Sequence, residues 1–154
     1  MAARTLTLDE LKTIKGQEIG VSDWHLVTQE EINRFADATH DHQWIHVDPA
    51  RATKESPFGG PIAHGYYTLS LAPHLMDQII AVKGIRMGVN YGLNKLRYPG
   101  PVRVGKRVRL KATLADVEEI ANGAGAQVTI GMSFEVEGEA KPGCVAEALY
   151  RYYK

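Results

Sequence analysis

Gly65-Tyr66-Tyr67-Thr68-Leu69-Ser70-Leu71-Ala72-Pro73-His74-Leu75-Met76-Asp77-Gln78-Ile79-Ile80-Ala81-Val82 is the stretch on which the fold turns. Tyr66, Tyr67, Leu69, Leu71, Ala72, Leu75, Met76, Ile79 and Ile80 set apolar side chains around nearly the whole circumference of a helix. A helix of that kind is buried on most sides. Pro73 lies inside it, where it would kink the helix or split it in two. Gly84 is placed to terminate it.

Beyond Gly84 the period changes to that of strands. Residues 85–91 and 93–98 alternate, with Gly88 and Gly92 marking a bulge or a close backbone approach. Pro99-Gly100-Pro101 breaks the run. Residues 103–117 alternate through Val104, Val108, Leu110, Ala112 and Leu114. The segment 121–125 reads as a hairpin turn. Residues 127–137 then carry Val128, Ile130, Met132 and Phe134 on one face, and 143–153 form a last strand.

Ahead of the apolar helix, Thr7-Leu8-Asp9-Glu10-Leu11-Lys12 predicts a short helix capped by Thr7 or Asp9 and ended by Gly16. Residues 18–27 read as a strand. Thr28-Gln29-Glu30-Glu31 fits a capping box, with Thr28 as cap and Glu31 reaching back. The helix it opens carries Ile32, Phe35, Ala36 and Ala38 and stops near Thr39. Residues 40–62 form a long connection, in which Asp48-Pro49 starts a short helix to about Lys54 and 56–61 is turn-rich. A connection of that length in a small domain is usually functional. The expected architecture is α+β: one domain over residues 1–154, with an antiparallel sheet curved around a central apolar helix.

Composition narrows the function classes. A chain of 154 residues is large enough to bury about 68–70% of its unfolded surface. Its formal net charge is zero, so no global field argues for nucleic acid or an anionic membrane as partner. No run of about 18 apolar residues occurs, so no membrane span is expected. The N-terminus lacks a long apolar core, so a secretory leader is not expected and a cytoplasmic location is. The lone Cys144 allows no intrachain disulfide and is expected to be a small buried residue. Residues 83–111 hold half of all Lys and Arg and no acid. That run reads either as a patch receiving phosphate groups or as strand cations whose partners lie elsewhere in the fold.

The chemistry concentrates in Asp41-His42-Gln43-Trp44-Ile45-His46, followed by Ile62-Ala63-His64-Gly65. A carboxylate and an imidazole aimed at one water form a minimal proton-moving device. Three readings compete: an Asp41/His46 acid–base pair, a metal site drawn from His40, Asp41, His42, His46, Asp48 and His64, or polar loop residues bonded to the backbone. The spacing matches no standard metal motif.

Phe35-Ala36-Asp37-Ala38-Thr39-His40-Asp41-His42-Gln43-Trp44-Ile45-His46, with Ala52 beyond it, resembles the signature of the MaoC-like, R-specific enoyl-CoA hydratases. So do Phe58-Gly59-Gly60-Pro61-Ile62-Ala63-His64-Gly65 and the segments 90–99 and 101–105. The likeness runs from about Glu18 to the end and is nearest the single-domain branch that includes nodulation protein N. It implies a hotdog fold, a homodimer, and water addition to a 2,3-enoyl thioester of coenzyme A or an acyl carrier, without metal or organic cofactor. Asp41 and His46 match the family's dyad, and Gly65 matches the position whose N–H faces the thioester carbonyl. Its signature has glycine where His40 stands and Asn-Pro where Gln43-Trp44 stand, so Gln43 is expected to take the asparagine's place in the site.

Around that dyad, His64 is expected to bond a loop carbonyl, and Tyr66 and Tyr67 to belong to core or channel wall. Asn90 and Asn94 are candidates for the pocket, and Lys95 and Arg97 for coenzyme A phosphates. A hotdog thioesterase and a non-catalytic acyl-thioester binding protein are the alternative functions.

Overall fold

The structure, a computed structural model, describes residues 3–154. Met1 and Ala2, at the start of the segment read for a leader, lie outside the described residues.

Strand β1 (Arg4–Thr7) leads into helix α1 (Leu8–Lys12). Thr7, one of the two expected caps, closes the start of α1 in a full capping box with Glu10. Two short strands, β2 (Glu18–Val21) and β3 (His25–Leu26), stand where one was expected. Helix α2 (Gln29–Thr39) is capped by the Thr28 hydroxyl. Its predicted capping box is only half made, because the Glu31 carboxylate turns to Tyr67 and His25. A short helix α3 (Trp44–Val47) interrupts the long connection, and α4 (Pro49–Glu55) follows with Asp48 as its cap.

The expected helix from Gly65 to Val82 is shorter and divided. Helix α5 (Gly65–Ser70) and helix α6 (Ala72–Met76) meet at Leu71, next to Pro73 in the first turn of α6. Proline is tolerated there because a first-turn amide has no acceptor within the helix. Ile79 leaves the helix and Ile80 enters strand β4 (Ile80–Lys83), which pairs in parallel with β1. The run Ile79-Ile80-Ala81-Val82 is β-branched at three of four positions and suits a strand once β1 is beside it. Gly84, at φ +76, turns the chain out of β4 rather than ending a helix.

Nor is burial as complete as the apolar pattern predicts. Tyr67, Thr68, Ala72, Leu75 and Met76 are buried, whereas Tyr66, Ser70, Pro73, His74 and Asp77 form an exposed strip.

The main sheet has six strands. Long β6 (Arg107–Ile120), β7 (Gly125–Val136) and β8 (Cys144–Tyr153) are flanked by β2 at one end and β5 (Met87–Arg97) at the other, and β3 also pairs with β6. All its pairs are antiparallel, and a 3-10 turn over Ala121–Gly123 closes the hairpin between β6 and β7. The core packs α1 and α6 against the inner face of these strands, with Leu11, Leu75, Leu110, Leu114, Ile130 and Phe134 fully buried. A second cluster of Val27, Ile32, Ala63, Tyr67, Val102, Val108 and Val136 seats α2 and the start of α5. Cys144 is buried in the main core, where burial pushes its thiol up to about 11. Among the described residues no helix is long and apolar enough to cross a membrane.

Candidate active site

The two halves of the proposed dyad are delivered by the connection between α2 and α4. At the end of α2 the backbone of His40 adopts φ 64, ψ 19, a left-handed conformation that turns the chain sharply and starts the loop at Asp41. This is the position where the family signature has glycine, the residue for which that conformation carries no steric cost. The Gln43 amide donates to Asp41 Oδ1 at 3.3 Å, which closes the turn.

Helix α3 then raises His46 into the interior. Gln29 Nε2 of α2 donates to the His46 carbonyl at 2.7 Å. Trp44 opens α3 where the signature has proline, and the Arg51 guanidinium of α4 lies 4.3 Å above its ring. Stacking thus holds the loop at the place where a proline would restrict it.

His46 Nδ1 lies 2.7 Å from the Ile62 carbonyl oxygen, and His64 Nε2 lies 3.0 Å from the Asp41 carbonyl oxygen. A carbonyl can only accept, so each of these nitrogens carries the hydrogen. In a neutral His46 ring that leaves Nε2 as the acceptor, the role a base needs. The two rings stack, with centroids 3.9 Å apart and planes at 25°. His64 is 3% exposed, whereas the Asp41 carboxylate, 4.0 Å from His64 Nε2, is 51% exposed. Burial, and next the His46 ring, hold the His64 imidazole below the usual histidine range, offset in part by the bond to Asp41. His64 is thus a neutral spacer between the dyad members, and its Nδ1 is buried without a hydrogen-bond partner.

Residue 64 also ends the approach to α5. Ala63 N donates to the Val102 carbonyl at 2.7 Å, and Gly65 is the first residue of the helix. The Gly65 amide consequently has no acceptor within the helix. A side chain at 65 would meet the Tyr98 ring at 2.9 Å, so any larger residue there would push the ring aside. Asp41, His46, His64, Gly65, Tyr66 and Tyr98 line one cavity of about 500 Å³, to which Phe58, Thr68 and Gly143 contribute.

Among the described residues, one set of three potential metal ligands converges: Asp41, His46 and His64, with ligand atoms within 4.8 Å of one another. Both imidazoles already donate one N–H to a carbonyl, and His64 Nδ1 is sealed from solvent. What remains facing the cavity is one imidazole nitrogen and one carboxylate, fewer protein ligands than zinc sites have. The arrangement suits a held water better than a held ion.

The remaining expected site residues lie elsewhere. Gln43 is exposed and reaches Asp41 through its backbone amide. Asn90 lines a second cavity, of about 470 Å³, between α5–α6 and the β5 edge. Asn94 sits where the register with β8 shifts. Lys95 Nζ pairs with Glu147 at 3.3 Å, and Arg97 donates to the Leu96 carbonyl at 2.7 Å. Much of the cationic run is likewise matched by acids: Arg103 and Lys106 face Glu139, Arg107 faces Glu137, Arg109 faces Glu135 and Lys111 faces Glu18. For the cations with acidic partners this pairing is what the strand-cation reading expects.

Two features had no clear sequence signal. Tyr98, which covers Gly65, follows an alternating strand and reads there as one more strand residue. The trio Glu31, Tyr67 and His25 lies beside the site, with Tyr67 buried and Glu31 and His25 half-buried. Tyr67 Oη donates to Glu31 Oε2 at 2.7 Å, and His25 Nε2 lies 2.9 Å from the same oxygen. Burial alone would raise the Glu31 carboxyl, but the Tyr67 and His25 bonds outweigh it and hold it below the usual range. The Tyr67 ring packs edge-on against Phe35, which in turn leans on His64.

Residues 10–135 match the model of the MaoC-like domain. The chain is 54% identical over 143 residues to 3-hydroxyacyl-thioester dehydratase Z of Mycobacterium tuberculosis, covering 93% of each. It is 42% identical over 142 residues to nodulation protein N of Rhizobium meliloti, covering 92% of this chain and 88% of that protein. The solved (R)-hydratase from A. caviae, involved in PHA biosynthesis, superposes with a TM-score of 0.71 at 25% identity, over 88% of this chain and 94% of the other. A curved antiparallel sheet around a helix, a carboxylate and imidazole at one cavity, and these likenesses agree: the chain belongs to the MaoC-like dehydratase domain family, with its hotdog fold.

Proposed function

We propose that this protein catalyses the reversible R-specific hydration of 2-trans-enoyl thioesters to 3-hydroxyacyl thioesters. The observation that carries the reading is the convergence of His46, anchored through Nδ1 to the Ile62 carbonyl, and the Asp41 carboxylate on one cavity that begins at the Gly65 amide. The names and extents of the two relatives above support it.

A water held by Asp41 and His46 adds its oxygen to C3 of the enoyl thioester while His46 Nε2 takes one of its protons. The C2–C3 π electrons move toward the thioester carbonyl, and the Gly65 N–H stabilises the developing enolate oxygen. The proton held by His46 then goes to C2, so one water is added across the double bond and the site returns to its starting charge. Dehydration runs the same steps backward. Proton transfers and water orientation are the chemistry required, so neither metal nor organic cofactor takes part. Coenzyme A or an acyl carrier bears the acyl chain, and a cytoplasmic setting follows from that substrate class. The protein acts as a homodimer whose second copy covers β5, an edge strand exposing Met87, Val89, Tyr91 and Leu93.

Hydration of crotonyl-CoA, followed by loss of the enoyl absorbance, tests the reading. Asp41→Ala and His46→Ala should each lower kcat/KM by about a thousandfold or more, and the double variant should be little worse than either. Undiminished activity in both single variants removes the mechanism. Release of free thiol from a saturated acyl-CoA would favour a thioesterase instead.

A further inference from the structure

The site as described offers the developing oxyanion one donor, the Gly65 amide, on a helix of six residues. So short a helix adds only a small dipole. The ring of Tyr98 packs beside Gly65. The Tyr98 atoms nearest to where a side chain at 65 would project are Cε1 and Cζ, both at 2.9 Å, and Cζ is the carbon that bears the hydroxyl. Tyr98 lines the same cavity as Asp41 and His46. Its hydroxyl makes no hydrogen bond to other described residues. Partial burial, with Cys144 and Tyr66 nearby, pushes the phenol up to about 12, so it is a proton donor at neutral pH. The ring is held on two further sides. Pro99 restricts Tyr98 to extended backbone, and the Tyr66 ring meets it edge-on at 6.3 Å.

Resting on the hydratase reading above, we propose that Tyr98 is a substrate-contacting residue: its phenol O–H donates to the thioester carbonyl oxygen and forms, with the Gly65 amide, a two-donor oxyanion site. The contact has a consequence for residue 65 as well. Glycine is required there both to bring the amide to the carbonyl and to make room for the ring.

The experiment compares crotonyl-CoA hydration by wild type and Tyr98→Phe, which keeps the ring and removes the donor. The second measurement is the absorbance of crotonyl-CoA bound to Asp41→Asn and to Asp41→Asn/Tyr98→Phe. Loss of one donor is expected to lower kcat by about 10–100-fold with KM little changed. The red shift of the bound enoyl thioester should shrink in the double variant, because fewer donors polarise its carbonyl. A kcat within about twofold of wild type overturns the proposal, as does a loss confined to KM or a kcat loss that leaves the red shift intact. An inactive wild type overturns the hydratase reading and this proposal with it, whereas an active wild type matched by Tyr98→Phe overturns the proposal alone.

Discussion

Strands β7 and β5 lie on opposite sides of β8, run to similar length and alternate similarly in sequence, yet they end in different surroundings. On β7 the residues Ala126, Val128, Ile130, Met132, Phe134 and Val136 are all buried. On β5 every residue but Leu96 is exposed, and two register shifts interrupt its pairing with β8. Alternation therefore identifies a strand without telling what covers it. The β7 flank is covered by helices of its own chain. The β5 flank borders the exposed strip of α5 and α6 and the second cavity, and it runs on through Tyr98 to the candidate active site. Packing is concentrated on one side of β8 and open space on the other.

The sharpest way to break this contrast is to cut a side chain on each flank. Phe134→Ala should cost about 3–5 kcal/mol of stability, since it opens a cavity in a closed core. Leu93→Ala should cost less than about 1 kcal/mol in urea titrations of dilute protein, because Leu93 is already largely solvated. Equal costs would erase the distinction. In concentrated protein, Leu93→Asp should halve the mass seen by sedimentation while leaving the circular dichroism unchanged, which locates the proposed second copy on β5.

A smaller effect separates the flanks by pH. His64 titrates lower in the folded protein than in the unfolded chain, near 6.5. Below that pH the unfolded state binds more protons, so stability falls as pH drops from about 6.5 toward the folded value and is constant above it. One such group contributes a slope of at most about 1.4 kcal/mol per pH unit. In denaturation measured from pH 7.5 to 5, His64→Gln should flatten that slope, whereas Phe134→Ala should lower the whole curve and keep it. The smallest effect belongs to the left-handed turn before Asp41. His40→Gly should raise stability by about 0.5–1 kcal/mol in urea titrations, because glycine meets no Cβ clash at φ 64.

Elements whose signals are local were legible in the chain. The capping residue Thr7, the stop near Thr39, the Asp48-Pro49 start and the alternation of β6, β7 and β8 all depend on near neighbours or on a period. Residues 80–82 are not legible as strand, because their partner β1 lies far away at the N-terminus and apolar content alone reads equally as buried helix. Helix α3 is too short to show a period at all. At the site, His46 and His64 come together because α3 and the approach to α5 are neighbouring pieces of one connection. Glu31 reads as the capping-box residue that reaches back to Thr28 because that helix start is adjacent, while its carboxylate bonds Tyr67 on another helix. Tyr98 reaches Gly65 only because the fold sets the segment after β5 beside the start of α5, which no local pattern announces.

The ionic rows on the outer face of β6 and β7 oppose one misalignment of that hairpin. A misalignment by one residue would turn Leu110 and Phe134 to water and is forbidden by burial. A misalignment by two keeps every apolar side chain inside, so hydrophobicity is blind to it. Slid by two in one direction, Arg107 would face Glu135 and Arg109 would face Ser133, so one of the two ion pairs is lost. The surface cations act as a vernier, reading a spacing that the oily interior cannot measure.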